Sequence, residues 1–170
     1  MAEKDKAEEA IEPINRLDAK SIALQAMLPG IVSDFKVTIN TAFDLVVVAV
    51  EPEEIKQICL LLRDNDETAF DYLLLLCVVD YEDYLQVVYH IYSTSLKHTL
   101  VVKTNVSPEE PSLESVTPVW KGADWYEREA HDLFGVSFNA HPSLSPLLLY
   151  EGFEGFPGRR NYEMPEYKEW

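Results

Sequence analysis

A glutamate and a histidine four residues apart on a helix, followed by a second histidine past its end, could meet on one metal ion. Glu127, His131 and His141 offer that pattern, because positions i and i+4 share a helix face and both side-chain types ligate zinc. A zincin-type site takes two histidines from one helix, however, and this helix holds one. The competing reading needs no metal. Arg128 pairs with Asp132 one turn on, Glu127 holds His131, and Glu129 reaches a backbone donor or an arginine from another segment. This scaffold is the default reading, with a free metal-dependent enzyme as its alternative.

Other familiar chemistry is missing. Gly152, Gly155 and Gly158 are spaced by three, without the strand, helix and spacing of a phosphate-binding loop, and no nucleophile elbow occurs. The adjacent Arg159 and Arg160 have the fork geometry to grip an anionic group, but in an acidic chain they read as ion-pair donors within or between subunits.

The helix that must position these residues is predicted from about Trp120 to Phe134. Trp125, Glu129 and Asp132 or Leu133 run along one side, Tyr126 and Ala130 lie beside them, and Gly135 is the stop. Ahead of it, Asp18 is placed to cap a helix with apolar positions Ile22, Ala23, Ala26 and Met27, ending at Pro29-Gly30. Alternation over Asp34 to Ile39, a turn at Asn40 to Phe43 and a buried strand at Leu45 to Val50 predict a hairpin. Pro52 opens a helix with the stripe Ile55, Ile58, Cys59 and Leu62, ending at residues 63–66. The apolar run Phe70 to Val79 suits a buried helix or a core strand, and helix is the expectation. Alternating strands at 85–92 and 100–106 predict a second hairpin, with His90 and His98 as ordinary sheet histidines. Pro108 to Pro111 read as a linker.

The chain has 170 residues, 47% of them hydrophobic, with 30 acidic against 14 basic residues and a net charge of -16. That suffices for one core, and the charge repels nucleic acid and anionic lipid alike. Cys59 and Cys77 lack metal-ligand spacing and read as buried apolar groups of a reducing compartment. The N-terminus shows no signal-peptide pattern, and no apolar run approaches the ~20 residues of a membrane span. The expected product is an α+β fold, mainly antiparallel sheet with helices packed on it. It divides into a mobile tail at 1–16, the domain at 17–135 and an extended arm at 136–170. The arm has little periodicity yet holds Phe138, Leu147, Leu148, Leu149, Tyr150, Phe153, Phe156, Tyr162, Tyr167 and Trp170. So many apolar groups argue for a strap laid over its own surface or a partner's, with a partner favoured.

The run Glu127-Arg128-Glu129-Ala130-His131-Asp132-Leu133-Phe134-Gly135-Val136, followed by Phe138 and His141-Pro142, resembles the signature of the 30 kDa subunit of respiratory complex I, the C subunit of NADH-quinone oxidoreductase. Val79-Asp80-Tyr81, Val88-Tyr89-His90, Ser115-Val116-Thr117 and the late Gly-Phe-Glu-Gly-x-Pro fall in the same order, so the likeness spans roughly 34–162. Ser145 and Pro146 stand where the family has basic residues, and Gly158-Arg159-Arg160-Asn161 replaces its Leu-Arg-Lys-Asp element. His131-Asp132 and Pro146 to Leu149 look more like the related subunits of membrane-bound nickel-iron hydrogenases and formate hydrogenlyases.

The resemblance implies a structural subunit at the cytoplasmic face of a membrane complex, with no cofactor of its own. It implies packing on a large subunit related to the complex I 49 kDa or hydrogenase large subunit, near an iron-sulfur subunit. Iron-sulfur clusters, and a flavin or nickel-iron centre, would be on those partners. Interface and scaffold roles then fall to Trp125, Glu127, Arg128, Glu129, Asp132, Phe134, His141, Phe153, Phe156, Arg159 and Arg160. A reversible acidic adaptor is a third reading.

Overall fold

The computed structural model describes residues 17–164; the tail expected at 1–16 and the aromatics Tyr167 and Trp170 lie outside them. Helix α1 (Ala19–Ile31) starts where expected, with the Asp18 carboxylate accepting from the Ser21 N–H at 2.7 Å. Its buried stripe is Ser21, Leu24 and Leu28, not the positions expected from periodicity, and Ile22 is 56% exposed. The helix also runs through Pro29. A proline so close to the end removes one backbone bond without breaking the turns before it, and the Val32 N–H closes the helix on Leu28 O at 2.9 Å.

Strands β1 (Val37–Ala42) and β2 (Leu45–Val50) form the first hairpin, pairing Val37 with Val50 and Ala42 with Leu45. The first strand begins and ends three residues later than its alternation suggested, because its register follows the full length of β2. A 3-10 turn at Pro52–Glu54 leads into α2 (Ile55–Asp64), which buries the predicted Ile55, Ile58, Cys59 and Leu62.

The helix expected over 70–79 is instead strand β3 (Tyr72–Asp80). It pairs antiparallel with β4 (Leu85–Tyr92), which pairs antiparallel with β5 (Thr99–Val106). A bulge between Leu73 and Leu75 turns Leu73, Leu76 and Val78 to the core. Leucine-rich runs serve either structure locally, and pairing with β4 decided this one.

The sheet order is β1-β2-β5-β4-β3, antiparallel except where β2 meets β5. One face carries the helices and the main core, from Leu24 and Leu28 through Ile58 and Leu62 to Val87, Tyr89 and Val102. On the other face Val47, Val88 and Val101 form a separate cluster, touched by Ala42, Leu45 and Cys77. Both cysteines are free, Cys59 fully buried and Cys77 half-buried.

After β5 the chain makes a small unit of its own. Strand β6 (Ser112–Glu114), just past the expected linker, is followed by α3 (Ala123–Phe134) and by β7 (Ser137–Asn139), which pairs parallel with β6. Trp120 anchors this unit to the sheet by donating from Nε1 to the buried Phe70 carbonyl at 2.9 Å.

Candidate functional site: helix α3 and its arm

Helix α3 begins three residues later than predicted, since a tight turn occupies 116–120, and it ends on Gly135 in the left-handed conformation, φ 73°. Its buried face is Ala123, Glu127 and Ala130, with Tyr126 and Phe134 packed alongside. Trp125 and Glu129 face outward, Trp125 being 67% exposed. Glu129 makes no hydrogen bond or ion pair among the described residues.

Glu127 is a fully buried carboxylate on an otherwise apolar stripe. One oxygen accepts from Ser115 Oγ and the other from the Val116 N–H, both at 2.7 Å. Ser115 in turn donates its N–H to Asn139 O at 2.9 Å. The carboxylate therefore clamps the turn entering α3 to the helix one turn after its start. Burial pushes its pKa up to about 7 against the pull of these two donors, and the Asp124 charge adds to the rise. The Cys59 thiol and Tyr89 hydroxyl share this interior; both are pushed up, first by burial, then by Glu127 for Cys59 and by Cys59 and Glu127 for Tyr89.

His141 joins this cluster from the loop after β7, its side chain fully enclosed. Its Nε2 is 3.2 Å from Asp124 Oδ1 and 3.9 Å from Glu127 Oε2. Those contacts do not meet hydrogen-bond geometry, leaving the atom without a formal partner. The Ser143 N–H donates to Nδ1 at 3.1 Å, which assigns the proton of the neutral ring to Nε2, facing the carboxylates.

The proposed metal triad does not form. His131 turns its Nδ1 to Val136 O at 2.9 Å, away from Glu127, so neither the three-ligand site nor the Glu127–His131 pair is made. Glu127 turns its oxygens to Ser115 and Val116, and the i+4 histidine takes the Val136 carbonyl instead. Among the described residues no group of three histidine, cysteine or acidic side chains is placed to hold a metal ion.

The Arg128–Asp132 pair is also replaced, and by something more informative. Arg128 donates to Ser145 O at 3.0 Å and to Pro146 O at 2.9 Å. Asp132 Oδ2 accepts three consecutive backbone N–H groups, from Leu147 at 3.1 Å and from Leu148 and Leu149 at 2.8 Å. Burial raises the Asp132 carboxyl, but the three donors and nearby His131 together leave it below its ordinary value. Neighbouring groups on one helix thus grip opposite polarities of one segment, cation to carbonyls and carboxylate to amides.

The arm continues over its own domain. The Gly158 N–H donates to Leu133 O at 2.9 Å, and Arg159 donates to Phe134 O at 2.7 Å and Pro108 O at 2.9 Å, with its guanidinium 5.1 Å from the Phe156 ring centroid. Of the two arginines expected as ion-pair donors, Arg160 pairs with Glu82 at 3.2 Å and donates its N–H to Asp80 at 2.9 Å, whereas Arg159 turns its guanidinium to backbone carbonyls instead. Phe153 packs edge-on to Tyr150 and stacks on Tyr162.

Phe156 lies so close to Gly135 that an added Cβ would sit 2.6 Å from its ring. Gly135→Ala should therefore cost about 2 kcal/mol, from left-handed strain and a displaced ring. A thermal melt checks the loss, and a Tm equal to the wild type would count against this contact.

Sequence reasoning did not single out Ser115, Asp124 or Asp80 as site residues. Ser115 and Asp80 both lie in runs that carry the family resemblance, Ser115-Val116-Thr117 and Val79-Asp80-Tyr81, but nothing local pairs Asp80 with Arg160, eighty positions away.

These features define a class: an α+β domain whose last helix fastens a C-terminal strap, with exposed aromatic and apolar groups on the resulting platform. The family described as the respiratory-chain NADH dehydrogenase 30 Kd subunit matches residues 48–168. The second C subunit of NADH-quinone oxidoreductase from Rhizobium meliloti (strain 1021) is 37% identical over 134 residues, covering 77% of this chain and 73% of the relative. The C subunit of the same enzyme from Roseiflexus castenholzii is 38% identical over 144 residues, covering 81% and 79%.

Among solved structures, the trypsin-resistant fragment (1-134) of Nqo5 matches with a TM-score of 0.58 at 26% identity, covering 71% of this chain and 98% of the fragment. A chain of the membrane-bound sulfane sulfur reductase, an archaeal respiratory membrane complex, shares the fold with a TM-score of 0.71 at 20% identity, covering 84% and 86%. The chain belongs to the 30 kDa subunit family of the respiratory-chain NADH dehydrogenase.

Proposed function

We propose that this chain is a non-catalytic structural subunit in the peripheral arm of a complex I-like, energy-converting oxidoreductase. In this reading it binds the large subunit and the iron-sulfur subunit at the cytoplasmic face of a membrane. Electron carriers reside on those partners, and its role is assembly. The observation that carries the reading is the fastening of 145–160 onto α3 by Arg128, Asp132 and Arg159, which builds a hydrogen-bonded platform from which Trp125, Leu148 and Tyr150 project into solvent. Exposed aromatics on a fixed frame are suited to anchor an interface. Among the described residues no helix is long and apolar enough to cross a membrane, so contact with the membrane would come through other subunits.

His131-Asp132 and residues 146–149, which suggested the hydrogenase branch, meet at the strap's anchor, where Asp132 holds 147–149. The relatives from Rhizobium and Roseiflexus favour the NADH-quinone side.

The test is affinity purification of the tagged protein in mild detergent, followed by mass spectrometry and metal analysis. Large and iron-sulfur subunits should be recovered with it. Flavin and NADH-oxidising subunits support the NADH branch, nickel the hydrogenase branch, and recovery alone overturns the proposal. Trp125→Ala should lower partner recovery about tenfold, with stability changed by less than about 0.5 kcal/mol. Unchanged recovery would remove Trp125 from the interface.

A further inference from the structure

The helix-free face of the sheet is the part of the surface least like the rest of this chain. Strand register sets its side chains in rows: Val47, Val101, His90 and Leu75 in one, and Ala49, Lys103, Val88 and Cys77 in the next. Among the described residues, the side chains packed on its valine cluster all come from the strands themselves. Leu75 and Val79 at its border are 39% and 36% exposed. In a chain with 30 acidic residues, no strand position of alternating register on this face is an aspartate or glutamate. Glu51, just past β2, is the one carboxylate on the rim of the cleft of about 400 Å³ that opens there.

Lys103 stands in the middle of this face, half-buried, and its ammonium makes no ion pair or hydrogen bond among the described residues. A half-buried cation ringed by Val88, Ala49 and Val101 seeks an anion from outside. Exclusion of acids from so acidic a protein leaves a surface that attracts one.

We infer that this sheet face docks a partner subunit through an aliphatic surface carrying a carboxylate that pairs with Lys103. The inference rests on the structural-subunit reading and adds a second surface, behind the sheet from α3 and its strap. A second copy of this chain would bring one rim carboxylate, Glu51, against the two cleft lysines Lys36 and Lys103, a poorer match than a partner carrying its acid among aliphatic groups. An anionic membrane is repelled by the net charge of -16. The chain's own N-terminus is a poor occupant, since Leu17 packs against the main core on the helix side and residues 1–16 offer only Ile11 and Ile14 as branched aliphatics.

The experiment places a photo-crosslinking amino acid at Thr38 or Asn105, exposed positions of this face, in the tagged full chain expressed from its own locus. Adducts should form with one polypeptide of the recovered complex, at a segment where an acidic residue is flanked by aliphatic ones. Lys103→Glu should reduce recovery of that polypeptide at least tenfold with an unchanged melt, Lys103→Arg should preserve it, and reversing the crosslinked carboxylate to lysine should restore binding to Lys103→Glu.

Partner subunits recovered without adducts from this face, or undiminished with Lys103→Glu, overturn the inference and leave the structural-subunit reading intact. So do adducts to residues 1–16, to a second copy or to lipid. A wild-type chain recovered alone overturns both.

Discussion

Glu127→Ala is expected to destabilise the protein by about 3 kcal/mol, because it strips the acceptor from the buried Val116 N–H and Ser115 hydroxyl and leaves a void in the core. Glu127→Gln keeps an acceptor for Val116 and should cost about 1 kcal/mol. The two variants separate the hydrogen-bonding role from the charge.

The charge has its own signature. Burial pushes the Glu127 carboxyl up to about 7 in the folded protein from a reference of 4.5, so between those pH values the native state holds a proton that the unfolded chain has released. Its contribution is fully present below pH 4.5 and is lost as pH rises through about 7. The span is worth on the order of 3 kcal/mol. Stability should therefore decline across that window in the wild type and stay flatter in Glu127→Gln, measured by urea unfolding at fixed ionic strength. An identical slope in both proteins would assign the decline to other groups. Asp132 does not confuse the result: its carboxyl is held below its reference of 3.8, so its contribution is present above that value and lost only at more acidic pH.

Asp132→Ala should release the strap. Hydrogen bonds donated to a charged acceptor contribute about 1.5–3 kcal/mol each and are not additive when they share one oxygen. Loss of the three N–H partners at Leu147, Leu148 and Leu149 should thus cost about 3 kcal/mol locally, an increase of about 100-fold in their amide exchange. Asp132→Asn should fall between, since its single amide oxygen accepts without the charge. The sheet should keep its protection, because the main core is built from other residues. Exchange at 147–149 as slow as in the wild type would show that Arg128, Gly158 and Arg159 hold the strap without Asp132. If the platform reading is right, Asp132→Ala also lowers recovery of partner subunits, since an interface that must first be ordered binds more weakly.

Much of this was present in the chain as local pattern. The stripe Ile55, Ile58, Cys59 and Leu62, the two hairpins, the Asp18 cap and the stop at Gly135 all rest on relations spanning a few residues, and all appear in the fold. The family signature at 127–136 was legible for the same reason. Tertiary structure decided what depends on choosing among distant partners. Residues 72–80 became a strand because β4 was there to pair with them. Parallel contact between β2 and β5 has no local code. Helical period allowed Glu127 to face His131, yet burial of the Ala123, Glu127 and Ala130 face sent its carboxylate to Ser115 and Val116. Arg128 and Asp132 were matched to each other by spacing, but the strap offered each several backbone groups of the opposite polarity. A charged side chain settles where its hydrogen bonds are most completely satisfied, and for these residues that place lies many positions away along the chain.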